Sequence, residues 1–86
     1  MKARRLALEI PQALTRYVAR KGSLCVDGVS LTVNAIEGTV AHFAIVPHTL
    51  SATTLGGLVP DAPVNIEVDL IARYLERLLP EFMGRP

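Results

Sequence analysis

Residues 21–36 read KGSLCVDGVSLTVNAI, and their reading decides the fold. Two apolar runs, 23–26 and 29–36, flank Asp27-Gly28, a pair that favours a two-residue hairpin turn. In the second run Leu31, Val33 and Ala35 alternate with Ser30, Thr32 and Asn34. That is the period of a strand with one apolar and one polar face. A hydroxyl-lined strand face meets either water or a polar ligand. The pattern alone is satisfied by a half-exposed strand.

Outward from this hairpin the same logic continues. Glu37-Gly38 separates two further strand-like runs, so 23–46 reads as three successive antiparallel strands. Upstream, Leu6, Leu8 and Ile10 recur at period two and predict a strand over 4–10. Pro11 suits a first helical turn, Leu14, Tyr17 and Val18 share a helical face, and Gly22 offers a stop, so a helix is expected over about 11–20. Pro47 through Gly56-Gly57 reads as one or two helical turns, and 64–69 as a strand with Val64, Ile66 and Val68 inward. Asp69 is a good N-cap for a closing amphipathic helix. Leu70, Ile71, Tyr74, Leu75, Leu78 and Leu79 form its apolar stripe, Arg73, Glu76 and Arg77 lie opposite, and Pro80 ends it.

The order β-α-β-β-β-α-β-α is mainly β and reads as a small antiparallel barrel with helical plugs. The count is five strands. An open sheet this apolar leaves unpaired edges, so a closing strand is expected from a partner or from further sequence. More apolar helix surface is present than a half-barrel covers, which predicts association.

The bulk properties narrow the function. Eighty-six residues suit one small domain, and 50% hydrophobic content argues against disorder. A net charge of +1 supplies no field to steer nucleic acid or an anionic membrane. Cys25 is the single cysteine, which excludes a disulfide framework and a cysteine metal cluster and predicts a small buried hydrophobe. His42 and His48, without a cysteine partner, offer no metal site. No apolar run reaches the roughly 18 residues of a membrane helix, and Met1 to Arg5 leads into no signal-peptide core, so a cytoplasmic protein is expected.

A few residues stand out as candidates. Ser30 and Thr32 each carry a hydroxyl that can donate and accept, one pleat apart. Asp27 opens a tight turn, and turn formation alone accounts for it. Lys21 is placed to close a helix, where the dipole favours a cation. At Ile45-Val46-Pro47-His48-Thr49 a strand gives way to a helical start, whose free N–H groups can meet anionic or carbonyl edges. His48 alone is as readily a solvated side chain.

Taken in order, KG-x-L-x-VDG-VSLTV, F-x-IVPHTL, TTLGGL, VNIEVD and RYLERLL closely resemble the C-terminal lumazine-binding domain of the alpha-chain type of riboflavin synthase, over roughly residues 4–79. The resemblance implies a Greek-key-like barrel of the six-stranded family, incomplete here, spanning 1–69, then a C-terminal helix and tail over 70–86. It implies dismutation of two molecules of 6,7-dimethyl-8-ribityllumazine, in which one donates a four-carbon unit to the other. The products are riboflavin and 5-amino-6-ribitylamino-pyrimidinedione, and no metal or organic cofactor is implied. It also implies a family trimer built through such helices, or pairing with an N-terminal barrel, with the active site between barrels of neighbouring subunits.

Carried over by position, the family's substrate contacts fall on Lys21, on Ser30, Leu31 and Thr32, and on Ala44, Ile45, Val46, Pro47, His48 and Thr49. Asp27 matches a family acidic residue near the site; Ser30, Asp27 and Lys21 are the candidates for proton, water and charge handling. The family carries an acidic residue where His48 stands. The family's GH-x-x-x-GH-like first strand and its N-terminal barrel have no counterpart here, so this chain is expected to be part of a riboflavin synthase. A non-catalytic lumazine- or flavin-binding module and an oligomerising scaffold remnant are the alternatives.

Overall fold

The structure is a computed structural model that describes residues 3–78. Its strands are β1 (Arg4–Glu9), β2 (Ser23–Val26), β3 (Val29–Thr32), β4 (Ala35–Glu37), β5 (Val40–Ile45) and β6 (Ile66–Val68). Its α-helices are α1 (Pro47–Ala52) and α2 (Leu70–Leu78), and 3-10 helices occupy Gln12–Tyr17 and Thr54–Gly57.

The opening stretch folds as the predicted hairpin. Asp27 at φ 49° and Gly28 at φ 81° both take the left-handed conformation that a tight two-residue turn requires. The register pairs Cys25 with Ser30 and Ser23 with Thr32. β6 adds to the other edge of β2, giving one antiparallel sheet in the order β3-β2-β6, while the second sheet runs β1-β5-β4.

The run over 29–36 is one strand in sequence and two in space. The Val33 N–H donates to the Gly22 carbonyl at 2.8 Å, extending the β2 ladder. One residue on, the Asn34 N–H donates to the His42 carbonyl at 2.8 Å and joins the β5 ladder instead. The chain therefore bends at Val33-Asn34 and belongs to both sheets, which is why six strands are found where five were counted.

The helix expected over 11–20 is corrected to the shorter 3-10 segment. Its bonds run from the Leu14 N–H to the Pro11 carbonyl (2.8 Å) and from Val18 to Thr15 (3.1 Å). The Thr15 hydroxyl also bonds back to the Gln12 carbonyl, a side-chain competitor for the backbone. Val18 leaves the helix in extended conformation and is buried. Lys21 does not close a helix; it sits beyond it at φ 69°.

The core lies between the two sheets. Ile10, Leu24, Val26, Val33 and Leu55 are fully buried there, with Phe43, Ile45 and Val68 beside them. Among the described residues no polar side chain is buried. The barrel does not close. β1 and β6 are both sheet edges, and an open hollow of about 470 Å³ near β1 is lined by Leu6, Leu8, Leu58, Val59, Pro60 and Val64, among others. α2 leaves its stripe outward: Leu70, Ile71, Tyr74 and Leu78 are each more than 60% exposed, while the Arg73 guanidinium stands 5.8 Å over the Tyr17 ring. Leu79 and Pro80 lie outside the described residues. Among the described residues no helix is long and apolar enough to cross a membrane.

Candidate functional site

The hairpin fixes which way β3 presents its side chains. Leu24, Val26 and Val33 face the core, so the residues between them face out. Ser30 and Thr32 are accordingly exposed and Leu31 packs against the core, as the alternation predicted. Directly opposed residues of an antiparallel ladder share a face. Ser30, Cys25 and Glu67 form one rung across β3, β2 and β6 on the outer face, and Thr32 and Ser23 form the next. Cys25 is half-buried on this face, where full burial was expected.

A hollow of about 420 Å³ lies over the first rung, lined by Ser23, Cys25, Ser30, Glu67, Asp69 and Arg73, among others. Apart from Ser30, the sequence reading did not single out this lining as a site. Cys25 was read as buried, whereas Glu67 was read as outward, so its exposure was legible. That β6 would lie beside β2, bringing Glu67 onto the Ser30 rung, was not.

The second group of candidates lies on β5 and the bend after it. Ile45 is buried, Ala44 is exposed, and Val46 is 55% exposed. β3 and β5 belong to different sheets but touch, so Ser30–Thr32 and the Ala44–Ile45 strand end lie on two elements in contact. Pro47 occupies the first turn of α1. It has no N–H, and the N–H groups of His48 and Thr49 have no intrahelical acceptor, as at any helix start. The His48 side chain is exposed; its carbonyl accepts from the Ser51 hydroxyl at 3.0 Å. The Thr49 carbonyl accepts from the Thr53 hydroxyl at 2.6 Å.

These candidates do not share one hollow. Ser30 lines the one beside α2, Ile45 the one along β1, and Ala44 a third with Asn34 and His42. Lys21 and Asp27 stand beyond opposite ends of β2, with the whole strand between them. The Lys21 backbone N–H donates to the Val33 carbonyl at 2.7 Å. Asp27 has a structural tie: its carboxylate accepts from the Asn65 N–H at 2.7 Å, and its own N–H donates to the Asn65 carbonyl at 2.8 Å. It pins the hairpin turn to the chain entering β6. Among the described residues there is no cluster of three His, Cys, Asp or Glu side chains placed to hold a metal ion.

Comparison with known proteins gives the geometry its context. Residues 1–69 match the lumazine binding domain family. The riboflavin synthase of Photobacterium phosphoreum is 50% identical over 72 residues, covering 84% of this chain and 33% of that protein. That of Mycobacterium tuberculosis (strain CDC 1551 / Oshkosh) is 41% identical over 75 residues, 84% of this chain and 37% of its own. That of Bacillus subtilis (strain 168) is 38% identical over 72 residues, 84% and 34%. The chain spans about a third of the length of the curated relatives it matches.

Proposed function

The chain belongs to the lumazine binding domain family, and on that premise we propose that it supplies one lumazine half-site of a riboflavin synthase. The observation that carries this is the outward placement of the Ser30 and Thr32 hydroxyls on β3, next to the strand β5 that leads into the Val46–Thr49 bend. A lumazine has a flat ring with polar edges and a polyol tail. Ser30 and Thr32 bond the ring edges, the exposed Ala44 and Val46 flank the ring, and the His48 and Thr49 amides beyond Pro47 meet its carbonyls.

The reaction joins two such rings. The methyl group beside the electron-poor ring of one lumazine loses a proton, and the resulting carbanion attacks the second molecule, which surrenders a four-carbon unit. Holding the rings face to face supplies most of the acceleration, because positioning alone is worth several kcal/mol. Lys21 offsets developing charge, and Ser30 and Asp27 assist proton or water handling. The second ring sits on another barrel, so turnover requires a second barrel, and the exposed stripe of α2 is the means of assembling it.

Fluorescence titration with 6,7-dimethyl-8-ribityllumazine tests the half-site, and a riboflavin assay on the same samples tests turnover. Saturable binding with riboflavin formation is the expected result. Binding without product assigns a holding module, and no binding overturns the reading.

A further inference from the structure

The bend at Val33-Asn34 gathers three polar side chains that the strand pattern leaves apart. The Asn34 N–H donates to the His42 carbonyl at 2.8 Å, and Ala35 stands in register with His42. Asn34 is thereby carried beside His42, although the turn between β4 and β5 separates them in sequence. Glu37 reaches along the same ladder, and its carboxylate accepts from His42 Nε2 at 3.1 Å. Opposed residues share a face, so His42 lies between Ala35 and Ala7, and Ala44 lies beside Arg5. The short alanine side chains leave a hollow of about 470 Å³ here, lined by Arg5, Ala7, Asn34, Glu37, His42 and Ala44, among others.

The His42–Glu37 pair does little for the fold. Its side chains are 38% and 80% exposed, and a pair that open to water contributes little to stability. It does place a mixed set of polar atoms on the hollow. Glu37 accepts, and Asn34 both donates and accepts. With Nε2 bonded to Glu37, the neutral His42 ring keeps Nδ1 as an acceptor, and that atom has no bond among the described residues. A chain of hydroxyls, each donating and accepting, matches such a mixture. An anion fits it less well, because the Glu37 carboxylate stands beside the ring.

This hollow abuts the half-site. Ala44 lines it and also flanks the lumazine ring, and Asn34 follows Thr32 by one intervening residue. From Ala44 to His42 is a two-residue step along β5, about 6.7 Å, within reach of an extended five-carbon chain. We infer that Asn34, His42 and Glu37 hold the polyol tail of the lumazine whose ring lies on Ser30, Thr32 and Ala44. The inference rests on the half-site reading and deepens it: ring and tail are bound by different side chains, so their recognition is separable.

Fluorescence titration of the full chain with two ligands tests it. One is 6,7-dimethyl-8-ribityllumazine; the other is 6,7,8-trimethyllumazine, the same ring with a methyl group in place of the polyol. The parent chain is expected to bind the ribityl compound at least about tenfold more tightly. Asn34→Ala and His42→Ala are each expected to weaken the ribityl compound by about fivefold and to leave the trimethyl compound unchanged, which also shows that the fold is kept. His42→Gln keeps a hydrogen-bonding group and is expected to recover part of the loss. Ser30→Ala weakens both ligands alike. Equal affinity of the parent for the two ligands, variants that bind the ribityl compound as the parent does, or variants that weaken both in proportion each overturn the tail site while the half-site stands. A parent chain that binds neither ligand overturns the half-site reading and the tail site together.

Discussion

A hydroxyl on the solvent face of a strand is already hydrogen-bonded to water, so a ligand gains from it only the net of an exchanged bond. For Ser30 and Thr32 that net is about 1 kcal/mol each, roughly fivefold in affinity. Ser30→Ala and Thr32→Ala are expected to weaken lumazine binding by that amount in a fluorescence titration, with unchanged stability because both side chains are exposed. Unchanged affinity in both variants removes this face from the site. Asp27 behaves differently because its carboxylate ties the turn to Asn65 and its backbone is left-handed. Asp27→Ala loses a hydrogen bond and adds strain, so urea unfolding is expected to show a loss of about 1–2 kcal/mol. Asp27→Asn keeps an acceptor and tolerates the same φ, and is expected to recover most of it. Riboflavin formation that falls in the Asn variant while stability holds is the signature of proton handling; activity that follows stability marks a turn tie.

The elements show which parts of the fold the sequence carried. The β2–β3 hairpin was legible because a turn pair and a two-residue period are both local. The break at Val33-Asn34 was not, since the partner that captures Asn34 is His42 on a strand reached only after another turn. The 3-10 segment was misread because the spacing of Leu14 and Tyr17 suits either helix, and the back-bond from Thr15 is invisible in spacing. Of the candidate site, the exposure of the β3 hydroxyls and the bend after β5 were legible; the company Ser30 keeps with Glu67 depends on β6 pairing with β2, which no local pattern records. α2 was legible throughout its described length, and its outward stripe is the clearest energetic statement of any element. Leucine or isoleucine removed from water contributes about 1.5–3 kcal/mol. Ile71→Glu and Leu78→Glu are each expected to shift α2-mediated association to at least about tenfold higher concentration in light scattering, while the β-sheet circular dichroism signal stays. Association unaffected by both would show that the stripe is not where copies meet.

At the scale of the whole molecule the two sheets meet along one side and part along the other. Val33-Asn34 is the joint: the fully buried Val33 bonds to Lys21 and Gly22 ahead of β2, and the Asn34 N–H bonds to His42 on β5. Opposite it, β1 and β6 leave the seam open. Protection from hydrogen exchange must follow that asymmetry, because an amide bonded within a ladder exchanges only when the ladder opens, while an edge amide exchanges directly. Within β1 the contrast is residue by residue: Leu6 and Leu8 donate into β5, and Ala7 and Glu9 donate outward. In dilute solution the Ala7 and Glu9 amides are expected to exchange at least about tenfold faster than those of Leu6 and Leu8, read by NMR. Alternation that persists at every concentration leaves the seam open to solvent. Equal protection at infinite dilution requires that the chain itself covers the edge, and the barrel is then closed.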